Sequence, residues 1–150
     1  MPALMELKGT ELAGQRVVIE RGPARVFAAA VGDHHPRYFE DAALVHPTFP
    51  FVMAYWGALA PSPGGGLPID RLRGPGRMIL HGEQEFVYHA WPRVGDVLES
   101  TARVADVYEK PRQGGGMEFY VTETDWRRAG SGEDVVTTRF TLIVTYRSAQ

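Results

Sequence analysis

The sequence contains no cysteine and no asparagine, and only two lysines against fourteen arginines. Without cysteine there can be no disulfide framework, no thiolate nucleophile and no zinc–thiolate site. Scarce lysine and absent asparagine fit a thermophile or a GC-rich genome, which concerns origin and not activity. An excess of one charge is also missing, since the formal net charge is −2 over 150 residues. That balance provides no broad basic field, so the counterion release that drives nucleic-acid binding is small and nucleic acid is not an expected partner. Long apolar runs are lacking as well. The longest, Phe49 to Ala60, is shorter than the roughly 20 residues of a membrane-spanning helix. The stretch Met1 to Gly9 mixes Glu6 and Lys8 among its leucines and has no apolar leader region. No membrane partner is expected, and the location expected is cytoplasmic.

What is present reads as one domain with one core, residues 1–150, at 44% hydrophobic and 23% charged residues. Arg16 to Glu20 is a short valine and isoleucine run that predicts a strand, closed by Arg21-Gly22-Pro23. A helix should follow. Pro23 suits a first helical turn, Val26, Phe27 and Ala30 are placed on one face, and Gly32 stands where a left-handed cap ends the helix. A second helical piece is expected from Glu40 to Val45, leading into His46-Pro47-Thr48-Phe49-Pro50. The next segment is the informative one. Phe51 to Leu59 is apolar on every side, so a helix there has to be buried all round.

Strands are predicted at Glu83 to Ala90, Val97 to Tyr108, Met117 to Trp126 and Val135 to Tyr146. Turn signals separate them at Pro92 to Asp96, Gly114 to Gly116 and Gly130 to Glu133. In the last strand Val136, Phe140, Leu142, Val144 and Tyr146 alternate with Thr137, Arg139, Thr141 and Thr145, a sheet with one face on a core. Leu98, Ala102, Val104 and Tyr108 should do the same earlier. Long antiparallel strands preceded by one wholly apolar helix predict an α+β hot-dog fold, a curved sheet wrapped around that helix. Between helix and sheet, Pro61 to Arg77 is rich in glycine and proline, and a loop of that length is expected to be a lid, a binding segment or disordered.

The stretch FAAAVGDHHPRYFEDAA at Phe27 to Ala43, then His46-Pro47-Thr48-Phe49, then LHGEQEFVYHAWPRVGDVL at Leu80 to Leu98, resembles the MaoC-like dehydratase family. Within it the chain is most similar to the HadA-like subunits of (3R)-hydroxyacyl thioester dehydratases, where a Pro-Thr-Phe segment opens the central helix. For active members the resemblance implies reversible addition of water to a trans-2-enoyl thioester of coenzyme A or acyl carrier protein, with no cofactor beyond that carrier. An aspartate of a Gly-Asp pair and a histidine five residues later hold the water and exchange its proton. Amides at the central helix N-terminus receive the thioester oxygen, where enolate charge develops. Those amides are here expected from Thr48, Phe49 and Phe51, since Pro47 and Pro50 carry no N–H.

Gly32, Asp33 and Pro36 match the family pattern, but Tyr38 stands where the histidine belongs. A tyrosine with an unperturbed pKa of about 10, against about 6.5 for histidine, donates a hydrogen bond at neutral pH and rarely accepts a proton. The candidate catalytic residues are therefore Asp33, Tyr38 and His81, the last of which could bring an imidazole from the strand side. His34 or His35 could swing into the role. The reading favoured is that a partner subunit brings a complete pair, as the HadA-like resemblance implies, although retention of Asp33 argues against a purely structural chain. Arg71 and Arg73, with Arg77, could grip the phosphates of coenzyme A or an acidic carrier protein.

Each candidate has a plainer alternative. Asp33 could serve only its local turn. His81 could be a satisfied structural histidine, and the loop arginines a solvated surface. His34 and His35 diverge, so a shared metal is not expected, and His81 and His89 lie too far apart on one strand to act together. Two further functions stay open. A hot-dog acyl thioesterase would need a carboxylate on or beside the buried helix, and Phe51 to Ala60 has none. A catalytically inert acyl-binding partner is the reading Tyr38 favours. Hot-dog protomers leave a sheet edge open, so a homodimer, or a heterodimer with another hot-dog subunit, is expected.

Overall fold

The computed structural model describes residues 2–53 and 66–147. In chain order its elements are β1 (Glu11–Leu12), β2 (Arg16–Val18), α1 (Arg21–Ala30), β3 (Arg77–Tyr88), β4 (Val97–Arg112), β5 (Gly115–Arg128) and β6 (Asp134–Arg147). The strands form one sheet in the order β1-β4-β5-β6-β3, with β2 also paired to β4. Every pairing is antiparallel. The architecture is the expected α+β hot-dog arrangement. Among the described residues no helix is long and apolar enough to cross a membrane.

The long strands are rich in valine, threonine and aromatic residues, which pack well on a pleated surface. Gly114, at φ +77°, makes the tight reversal from β4 to β5 in a region that side chains with a Cβ rarely enter. Leu98, Trp126 and Val136 form one end of the buried face and Val104, Tyr120, Leu142 and Val144 the other. As the alternation in β6 predicts, Val136, Leu142 and Val144 are buried and Phe140 packs partly buried against the core.

Four expectations need correction. In β4 the register slips between Val104 and Asp106, so the side chain that continues the core row is Val107. Tyr108, expected inside, instead stacks on Phe119 with ring centroids 4.6 Å apart. A single extra residue reverses which face each later side chain takes. The buried face of α1 is Ala24, Ala28 and Phe27, whereas Val26 is 69% exposed. Residues 40–45 form no helix: Ala42 takes φ +49°, and Leu44 makes an isolated bridge with Arg93. β3 begins at Arg77, six residues before the predicted start, so His81 sits inside the strand beside a bulge rather than at its entrance.

The segment expected as the buried helix is described only at its start. Residues 50–53 are helical, Phe49 and Met53 are fully buried in the cluster of Leu98, Trp126 and Val136, and the rest of Phe51–Ala60 lies outside the described residues.

The far end of the sheet is closed by a buried carboxylate. Glu118 accepts from Arg77 Nη2 at 2.5 Å, from the Tyr120 hydroxyl at 2.6 Å and from the backbone N–H of Ala3 at 3.3 Å. Its side chain is 4% exposed, against 54% and 38% in the surface pair Lys8–Asp106. Breaking a buried pair strands a charge, while an exposed pair is worth little. Glu118→Ala should therefore destabilise the fold by about 3 kcal/mol, the low end of such ruptures because Arg77 keeps some solvent. Lys8→Ala should cost under about 1 kcal/mol. Urea denaturation of both variants checks the contrast, and equal losses would refute it.

Candidate active site

The site begins where α1 ends. Val31 is the last cap residue, Gly32 turns the chain at φ +79°, and the Asp33 N–H donates to Ala28 O at 3.0 Å. This fixes the Asp33 side chain just beyond the helix. Its Oδ1 accepts the backbone N–H of His35 at 3.1 Å, the local turn bond that aspartate makes readily. Its Oδ2 faces His46 Nε2 at 3.7 Å.

His46 is held from the other side of the site. The family-like turn at Pro92 to Asp96 grips the preceding residues: Val94 N–H donates to Ala43 O at 2.9 Å, Val45 N–H to Pro92 O at 3.3 Å, and Trp91 Nε1 to Val45 O at 3.2 Å. The Tyr88 ring stacks on Trp91, and its hydroxyl donates to Pro47 O. Burial, with Tyr38 beside it, pushes the Tyr88 hydroxyl well above its ordinary range, so it remains a donor. The His46 ring then lies 5.7 Å from Phe27 and 5.6 Å from Tyr38. Its Nδ1 meets the Thr48 hydroxyl at 2.9 Å and accepts the Thr48 backbone N–H at 3.2 Å.

Of the sequence-predicted residues, the structure brings together Asp33, Tyr38 and Thr48. Tyr38 is 2% exposed, and its hydroxyl accepts from Arg37 Nη2 at 2.9 Å while Arg37 stacks over the ring. Its ring lies 5.6 Å from that of His46. The Thr48, Phe49 and Phe51 amides donate within the turn, to His46 Nδ1, to His46 O at 2.9 Å and to Thr48 O at 3.2 Å. A thioester oxygen would have to displace one of these bonds or find donors farther along the helix.

The other candidates lie elsewhere. His81 packs its ring on Phe51 at 5.4 Å and Phe140 at 4.7 Å. Arg71 pairs with Glu6 at 2.9 Å and Arg73 with Asp70 at 3.4 Å, both exposed. His34 and His35 are exposed, and His89 Nε2 lies 3.1 Å from Thr137 Oγ1. Sequence reasoning passes over His46, naming it only as part of a turn. The one available signal was a histidine two residues before Thr48, a spacing at which a side-chain acceptor can bond a backbone N–H.

Beside the helix start lies a cavity of about 300 Å³. Pro50, Phe51, Leu67 and Ile69 border it, and its floor is the inner face of the sheet, including Ala102, Thr124, Trp126, Thr138 and Phe140. Among the described residues no cluster of three or more histidine or carboxylate side chains is placed to hold a metal. The arrangement can present a carboxylate and an imidazole to a reactant, and the cavity that begins at Pro50 and Phe51, four residues on from His46, is a largely apolar space of the size that small ligands occupy.

A family model described as FAS1-like, dehydratase domain region, matches residues 6–138. A UPF0336 protein of Clavibacter michiganensis is 33% identical over 156 residues, covering 96% of this chain and 97% of that protein. Among solved structures, the C-terminally truncated HadBC (3R-hydroxyacyl-ACP dehydratase) complex from Mycobacterium tuberculosis matches with a TM-score of 0.70 at 24% identity. The match covers 91% of this chain and 96% of that one. The ChsH1–ChsH2 complex from the same organism matches with a TM-score of 0.71 at 18% identity, over 99% of this chain and 92% of that one.

The Tyr88–Pro47 bond is the link between the sheet and the histidine turn. Tyr88→Phe leaves a half-buried carbonyl without its donor and should cost about 1–2 kcal/mol in chemical denaturation. An unchanged midpoint would show that the turn stands without it.

Proposed function

Since this chain belongs to the family of the FAS1-like dehydratase domain region and to the UPF0336 proteins, we propose that it is a subunit of an (R)-specific enoyl-thioester hydratase or 3-hydroxyacyl-thioester dehydratase, with coenzyme A or acyl carrier protein as the acyl carrier. The observation that carries the reading is the placement of Asp33: the family's Gly-Asp carboxylate stands just past the end of α1, 3.7 Å from the imidazole of His46 in the turn that leads into residues 50–53. The reaction needs one group to move a proton between water and the carbon next to the thioester carbonyl, and an ionised carboxylate suits that task. The cavity bordered by Pro50 and Phe51 supplies an apolar place for an acyl tail.

The partner is proposed to be a second hot-dog chain. Two structures of the same fold are complexes of the HadBC and ChsH1–ChsH2 pairs. Here β3 is the end strand of the sheet, and it exposes Met78 (59%), Leu80 (41%) and Val87 (45%). An open edge with apolar side chains is a pairing template. One observation favours a second reading, an inert acyl-binding subunit: the family's histidine position holds the buried Tyr38, whose hydroxyl is already bonded to Arg37.

Crotonyl-coenzyme A should lose its enoyl absorbance in the presence of the protein, without the thiol release that a thioesterase would give. Asp33→Asn keeps the shape and removes the charge, and should lower the hydration rate about 100-fold or more. A variant as fast as the parent would move catalysis elsewhere or to the partner. Light scattering at micromolar concentration should give at least twice the chain mass, and a monomer would argue against pairing through β3.

A further inference from the structure

Resting on the hydratase reading above, we propose that His46 supplies the imidazole that position 38 lacks, holding the reacting water or leaving hydroxyl against Asp33 as a fixed Nε2–H donor.

The geometry defines which nitrogen does what. A backbone N–H can only donate, so the Thr48 amide at 3.2 Å makes His46 Nδ1 the acceptor. The Thr48 hydroxyl at 2.9 Å donates to the same lone pair. In a neutral imidazole the proton then sits on Nε2, which faces Asp33 Oδ2. Phe27 and Tyr38 cover the ring at centroid distances of 5.7 and 5.6 Å, so it has little freedom to turn. The His46 and Asp33 side chains keep 16% and 34% of their exposure.

The Nε2 to Oδ2 separation of 3.7 Å is too long for a direct hydrogen bond. An oxygen about 2.8 Å from each atom can accept from Nε2–H and donate to the carboxylate at a bridging angle of about 83°, which a slight widening of the pair relaxes. Tyr38 is instead buried beside the His46 ring, with its hydroxyl bonded to Arg37. The residue that fills the family's histidine position has become a wall behind a different histidine.

The chemistry balances with one base. In hydration, the Asp33 carboxylate takes a proton from water as the water oxygen bonds to the β-carbon, and the π electrons move to the thioester oxygen. The Asp33 carboxyl then returns the proton to the α-carbon, and the carbonyl reforms. Dehydration reverses each step, with Nε2–H donating to the leaving oxygen. His46 keeps its proton throughout.

Two measurements on the full chain test this. Imidazole 15N shifts, assigned by loss of the His46 signals in His46→Gln, should show Nε2 protonated and Nδ1 bare; the opposite tautomer overturns the proposal. Crotonyl-coenzyme A hydration by His46→Leu should fall about 100-fold in kcat with KM nearly unchanged, while His46→Gln, whose amide can place an N–H near Nε2, should stay within about tenfold of the parent. Parent-like rates in His46→Leu overturn the role of His46 but leave the hydratase reading intact. If the parent alone is inactive, the proposed pair does not work. Activity regained with a partner carrying an intact Gly-Asp and histidine pattern would then preserve the subunit reading, and none regained would end both.

Discussion

The placement of Asp33 and His46 depends on the seating of Phe49 and Met53 on the inner face of the sheet. Both are fully buried among Leu98, Trp126 and Val136, and removing a side chain of that size from water contributes about 1.5–3 kcal/mol. Phe49 in turn meets the edge of Phe27 at 5.6 Å. Phe27 lies on α1, one turn before Gly32 and Asp33, so the same apolar contact that anchors the helix start also sets where the carboxylate emerges. The Asp33 and His46 side chains are thus positioned by packing underneath them.

Hydrogen bonds refine what packing places. The Pro92 to Asp96 turn holds residues 43–45 through backbone bonds, and Arg128 and the Arg93 amide converge on Asp96 to hold the turn itself. Tyr88 then ties Pro47 to the end of β3. The result is a rigid approach to His46 from both sides. A motif that reads as a mere link between two strands works as the clamp for a loop some fifty residues earlier in the chain.

Much of the fold was legible in the sequence because its signals are local. Alternation marked β4, β5 and β6, glycine marked the turns, and Gly32 marked the end of α1. The misreadings come from features without local signature. A bulge after Val104 reversed the facing of Tyr108 and Val107; nothing in that run announces the extra residue. Glu40 to Val45 has helix-compatible composition, yet its backbone pairs with a distant turn, and tertiary contacts outweigh weak propensities. At the site, Asp33 could be named from its Gly-Asp context and Tyr38 from its spacing, whereas His46 could not be tied to either.

The sequence by itself determined the class of architecture and the approximate course of the long strands, because each is written in neighbouring residues. Only the tertiary structure decided that His46 faces Asp33. The two are thirteen residues apart, and their meeting requires α1, the Phe27–Phe49 contact and the Pro92 to Asp96 clamp to act together. A distance across space is the sum of many packed contacts, and no local periodicity encodes it.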